Sequence, residues 1–155
     1  MIKKLITLGL SLFTFIATMT PIYAVDNSAS VDISGEYGIV IDQDNGQILY
    51  NKKAKEKMYP ASITKILTCI VALEMVDDLD KQVTITDSDV ETVWETGASA
   101  ANFTPGEVVT YRDVFMGAML PSGADACRAL ANNTCGSQEK FVDKMNDLVK
   151  KLSLI

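Results

Sequence analysis

The sequence predicts a mixed α+β domain, and three observations carry that prediction. Two short β-rich runs, "YGIVID" and "GQILYN", flank Asp44-Asn45-Gly46, and an Asn-Gly pair between such runs marks a hairpin because the turn needs positive φ. A stretch from Ser62 to about Val76 is apolar at nearly every helical position. The last helical stretch, "QEKFVDKMNDLVKKL", carries an amphipathic stripe of Phe141, Val142, Met145, Leu148, Val149 and Leu152, expected to face the core.

Read in order, the chain opens with Lys3-Lys4, an apolar run from Leu5 to about Met19, and "PIYA" ending at Ala24. Residues 1–24 therefore predict a signal peptide, with an uncleaved membrane anchor as the alternative. Export to the cell envelope, the periplasm or the medium follows, and membrane association stays possible. Residues 25–35 read as a polar linker, and 36–155 as one domain.

The hairpin needs further strands or a helix to be stable, and the Ser62–Val76 helix is the expected cover. Ser62 reads as its N-cap, and the helix as buried all round. "VTIT" at Val83 to Thr86 predicts a short strand. "DSDVETVWETGASAANF" predicts a helical turn or two and then a small-residue loop, with Trp94 and Phe103 as core plugs.

Pro105-Gly106 marks a turn, and Thr110 with Asp113 matches a capping box for "YRDVFMGAML", which Pro121 ends. Ser122 is expected to cap "GADACRALANN", Gly136 to end that helix, and Ser137 to cap the last one.

Composition narrows the chemistry. The formal net charge is −6, and the candidate leader carries two lysines and no acids, so the remainder is more acidic still. Nucleic acid is a poor partner for such a chain. There are no histidines, which excludes Ser-His-Asp and Cys-His sites and the usual His-rich zinc sites. Of the three cysteines, Cys69 and Cys127 read as buried thiols. Cys127 and Cys135 could pair only if Asn132-Asn133 breaks their helix.

Lys65 raises the functional question. It lies one turn beyond Ser62 on the same helical face, inside an apolar pattern where an unpaired ammonium is costly. Ser62-Ile63-Thr64-Lys65 is a Ser-x-x-Lys match, and that pattern alone is weak. Ser137-Gln138-Glu139-Lys140 matches too, at a polar helix start that predicts a cap and a solvated lysine. In the first match, a lysine stripped of water beside a serine at a helix N-terminus can take the serine's proton.

With Ser122-Gly123-Ala124 added, the chain resembles the serine D-alanyl-D-alanine carboxypeptidases, low-molecular-mass penicillin-binding proteins of peptidase family S11. The resemblance rests on "GIVID", "GQILYNKKAKEKMYPASITKILT", "PGEVVTYRD", "MLPSGADA" and "FVDKMN", in that order. It implies a β-lactamase/transpeptidase-like fold, present here as an incomplete domain of a hairpin and the helical subdomain, without the later sheet strands. It also implies Ser62 as acylated nucleophile, Lys65 as general base and Ser122 as proton relay, with the Ser62 backbone N–H giving half of an oxyanion hole.

The implied partner is a peptidoglycan stem peptide ending in D-Ala-D-Ala, with β-lactams as inhibitors and neither metal nor organic cofactor. Two departures qualify this. Ala124 stands where the family has Asn, with Asp125 beside it reading as an acid favoured by a helix N-terminus. No Lys-Thr-Gly or Lys-Ser-Gly occurs in the chain. The expectation is thus the N-terminal part of a carboxypeptidase, weak or inactive alone. The alternatives are a class A β-lactamase-like hydrolase or a non-catalytic wall-binding relative.

Overall fold

The computed structural model describes residues 33–152, except 92 and 94. The candidate leader, most of the linker and the candidate plug Trp94 lie outside the described residues. The chain forms two compact units, one up to Lys57 and one from Met58 onward.

In the first unit, β1 (Gly38–Ile41) pairs antiparallel with β2 (Ile48–Lys52), with a register shift between Val40 and Ile41. The turn forms as its sequence predicts. Asp42 Oδ1 accepts the N–H groups of Asp44 and Asn45 at 2.9 and 3.2 Å, and Gly46 takes φ 74°, the left-handed value that favours glycine. Ile39, Val40, Ile41, Ile48 and Leu49 are each about half exposed.

The second unit is helical around a small ladder. A 3₁₀ turn (Ala61–Ile63) runs straight into α1 (Thr64–Leu73). β3 (Gln82–Thr84) follows, then the one-turn α2 (Asp87–Val90). β4 (Val108–Thr110) pairs antiparallel with β3, Val83 opposite Val109. The chain continues as α3 (Tyr111–Met119), α4 (Ala124–Cys135) and α5 (Gln138–Lys151). Among the described residues no helix is long and apolar enough to cross a membrane.

The capping box forms: Thr110 Oγ1 accepts the Asp113 N–H while the Asp113 carboxylate accepts the Thr110 N–H. A second box, Thr86 with Asp89, opens α2. Gly136 ends α4 at φ 77°. Ser137 caps α5 by accepting the Lys140 N–H.

Helix α4 is the hub, packing against α1, α2, α3 and α5. Its Ala126, Ala129, Leu130 and Ala131 are buried, and small side chains let neighbouring helices approach closely. Asp89 is fully buried and accepts from Asn132 Nδ2 at 2.6 Å and from Thr86 N at 2.8 Å, tying α2 to α4. Phe103 packs against this core, as expected.

Two expectations are corrected, and the open question of the cysteine pairing is answered. Helix α1 is not buried all round: Thr68, Cys69, Val71 and Ala72 are buried, while Ile63, Ile66, Ile70 and Leu73 are largely exposed. Asn132-Asn133 does not break α4, because Asn133 bonds the Ala129 carbonyl at 2.9 Å and Asn132 bonds Asp89, so the helix runs on to Cys135. All three cysteines are free thiols. The α5 stripe reaches the core through Phe141, Leu148 and the partly buried Met145, whereas Val142 and Leu152 are half exposed.

Two outcomes follow. Leu130→Ala should lower unfolding free energy by about 2–5 kcal/mol in urea titration, since the hub cannot close over the lost volume. The apolar surface on β1, β2 and α1 should make the isolated chain bind ANS; a sharp cooperative melt without dye binding would count against it.

Candidate active site

Ser62 sits in the middle of the 3₁₀ turn, after Ala61, whose φ of 48° is strained for a residue with a side chain. The turn closes through Ile63 N–H to Pro60 O at 3.1 Å. Ser62 makes no side-chain cap bond, contrary to expectation. Because the 3₁₀ turn leads without a break into α1, the backbone amides ahead bond helix carbonyls, and the hydroxyl is left for side chains.

Two side chains use it. Lys65 Nζ donates to Ser62 Oγ at 3.2 Å, the contact that a spacing of three brings together on a helix. Ser122 Oγ donates to the same oxygen at 2.8 Å, across 60 residues of sequence. The structure thus gathers all three sequence-predicted residues at one oxygen. Lys65 is half-buried rather than fully buried. Lys140, from the other Ser-x-x-Lys match, is exposed on α5.

Ser122 is not a cap either. It lies between α3 and α4 at φ 61°, and the N-cap position of α4 falls to Gly123, which has no side chain to bond with. A β-carbon on Gly123 would come within 2.7 Å of Ala101 N, Asp125 Oδ1 and Gly117 O. Only glycine fits there. Ala124, in the position where the family pattern has an amide, opens α4 and donates its N–H to Ser99 O at 2.8 Å.

Sequence reasoning missed what Asp125 does. It is 2% exposed and accepts the backbone N–H groups of Ala101 at 2.8 Å, Phe103 at 3.2 Å and Ala126 at 2.9 Å. The helix N-terminus is one contributor; the other is a loop more than twenty residues upstream. Nothing local in "SGADA" signals that pairing.

Burial pushes the Cys127 thiol up to about 12, the nearby Cys69 sulfur adding to the shift and the Lys65 charge opposing it. Cys69 is raised by burial as well. Among the described residues no group of three or more acidic or cysteine side chains could hold a metal ion. An apolar groove of about 500 Å³ lies along α1 and α3, lined by Ile66, Ile70, Leu73, Phe115 and Met116 among others. None of Ser62, Lys65 and Ser122 lines it.

A serine oxygen held between an amine and a second hydroxyl suits acyl transfer without histidine: one group takes the attacking proton and the other reaches toward a leaving group. The chain matches the D-alanyl-D-alanine carboxypeptidase family, peptidase S11, over residues 24–155. It belongs to that family. D-alanyl-D-alanine carboxypeptidase DacF of Bacillus subtilis is 31% identical over 95% of this chain and 38% of its own length. DacC of Escherichia coli is 35% identical over 93% and 38%.

The solved Streptomyces K15 DD-transpeptidase superposes with a TM-score of 0.75 at 33% identity, covering 81% of this chain and 50% of that one. The DD-peptidase fold expected from the resemblance is therefore present. The chain spans about two-fifths of those two curated carboxypeptidases and half of the solved transpeptidase.

The raised thiol gives this S11 chain a pH signature. Cys127 keeps its proton in the folded state to about pH 12, whereas an unfolded thiol ionises near 9.0. Between these values the unfolded state binds fewer protons, so stability should fall as pH rises through that window and be unaffected by Cys127 below it. Urea titrations from pH 8 to pH 11 should show the fall, and Cys127→Ala should lessen it, leaving the part due to Cys69.

Proposed function

We propose that the protein is an exported serine D-Ala-D-Ala carboxypeptidase acting on peptidoglycan stem peptides, of which this chain carries the nucleophile half of the site. The observation that carries the reading is the Ser62 oxygen bonded by both Lys65 Nζ and Ser122 Oγ.

In the proposed cycle Lys65, as the neutral amine, takes the Ser62 hydroxyl proton while Oγ attacks the carbonyl carbon of the penultimate D-Ala. The proton passes through Ser122 to the nitrogen of the terminal D-Ala, the C–N bond breaks and free D-alanine leaves. Water then attacks the ester carbon with Lys65 again as base, releasing the shortened peptide and restoring Ser62. The Ser62 backbone N–H would stabilise the carbonyl oxygen. β-Lactams would acylate the same oxygen through their strained amide.

Export rests on the Lys3-Lys4, apolar-run and Ala24 pattern. Efficiency is where the departures bear. Ala124 has no side-chain amide to offer Lys65 or substrate. Without a Lys-Thr-Gly strand a second oxyanion donor is lacking, and losing one such donor costs about 2.7–4 kcal/mol. This chain by itself should therefore be acylated slowly.

Fluorescent-penicillin labelling of native envelopes, with mass spectrometry of the tryptic peptide Met58–Lys65, tests the reading. Modified Ser62 is expected. Ser62→Ala should abolish labelling, and Lys65→Ala should slow it by about 10²–10⁴. Recovery of the peptide only in unmodified form would overturn the assignment and favour a wall-binding relative without chemistry.

A further inference from the structure

We infer that Asp125 is a positioning residue for Ser122, holding the relay hydroxyl on Ser62 through a clamp built from backbone amides. The inference rests on the proposed role of Ser122 in acylation.

Ser122 stands at φ 61°, a conformation unfavourable for a residue with a β-carbon, which persists only where the surroundings fix it. The fixing elements lie immediately after it. Gly123 donates its N–H to Gly117 O at 3.0 Å, and Ala124 donates to Ser99 O at 2.8 Å. The second of these holds only while residues 99–103 stay against the start of α4.

Asp125 keeps them there. Its Oδ1 accepts from Ala101 N and its Oδ2 from Phe103 N, so one carboxylate grips the loop at two points while Ala124 grips it in the opposite sense at Ser99. Gly123 is wedged against Ala101 N, with no room for a β-carbon. The Phe103 ring closes the far side against Gly117, where a β-carbon would sit 3.0 Å from it. A buried carboxylate bonded by three N–H groups is fully committed, and removing one acceptor strands an amide that water cannot reach.

Asparagine is the informative substitution, because it keeps the shape and one acceptor but presents an NH₂ toward an N–H. Release of the loop frees Ala124 from Ser99 and unpacks Gly123 from Ala101, and Ser122 relaxes out of the left-handed region, taking its hydroxyl off Ser62. Asp125 accepts only backbone N–H groups and bonds neither Ser62 nor Lys65, so the effect assigned to it here passes through Ser122.

The test is a double-mutant cycle on the intact protein in native envelopes, reading the initial rate of fluorescent-penicillin labelling at Ser62. At a temperature where the variants are folded, Asp125→Asn should slow labelling about tenfold to a hundredfold. In a Ser122→Ala background the same change should cost less than about twofold. Equal losses in the two backgrounds would overturn the inference, since a carboxylate that merely stabilises the fold slows both alike. Asp125→Glu, which keeps the charge and shifts it by one methylene, gives the same cycle should the asparagine variant not fold.

Amide exchange on the unlabelled protein separates this inference from the function on which it rests. Asp125→Asn should speed exchange at Ala101, Phe103 and Ala124, the amides that tie the loop to the start of α4. Unchanged exchange there overturns the clamp whatever the label does, whereas a wild-type protein that takes no label at Ser62 overturns the function reading.

Discussion

The packing of α4 against four other helices is the constraint on which the second unit depends. A helix can meet that many neighbours only if its side chains are short on several faces, and Ala126, Ala129 and Ala131 satisfy this, with Leu130 filling the centre. The helix bears polar anchors at both ends. Asn132 holds the buried Asp89 of α2 toward its C-terminus, and Asp125 holds the 99–103 loop at its N-terminus. Such fully bonded polar groups fix the register of a core that alanines alone would leave free to slide.

The candidate site is a consequence of that hub. Ser122 precedes α4 directly, so its hydroxyl goes where the helix start is fixed, and Ser62 precedes α1, which packs on α4 through its Thr68, Cys69, Val71 and Ala72 face. Two strained backbone positions, Ala61 and Ser122, flank the shared hydrogen bond. Strain at both ends of a single contact is sustained only by rigid elements behind it, and here those elements are helices meeting over one small-residue surface.

Much of this was legible in sequence wherever the determinant is local. The Asp44-Asn45-Gly46 turn, the Thr110/Asp113 box, the Gly136 stop and the Ser137 cap are set by neighbours three or fewer residues away, and each formed. The spacing of three between Ser62 and Lys65 gave their contact. Ser122 joined them only through resemblance, since no local rule spans 60 residues. What failed depended on distant partners: the caps expected of Ser62 and Ser122, whose hydroxyls bond each other instead, the strand β4, too short to show alternation, and the Asp125 clamp. A serine before a helix predicts a cap only where no side chain competes for its oxygen.

The open face of α1 follows from the same distinction. Periodicity reports which positions are apolar, and in α1 that is nearly all of them; it carries no information about which faces have a neighbour. One face meets α4 and is buried. The face bearing Ile66, Ile70 and Leu73 borders the groove shared with α3, and its side chains stay largely exposed. Helix α1 draws its stability from the faces that it packs against α3, α4 and α5, and the Ser62–Lys65 pair sits at its head. Lys65 at that head is partly exposed. In this chain the position of the Ser62 oxygen depends on how α1 and the start of α4 meet, since Lys65 and Ser122 reach it from those two elements.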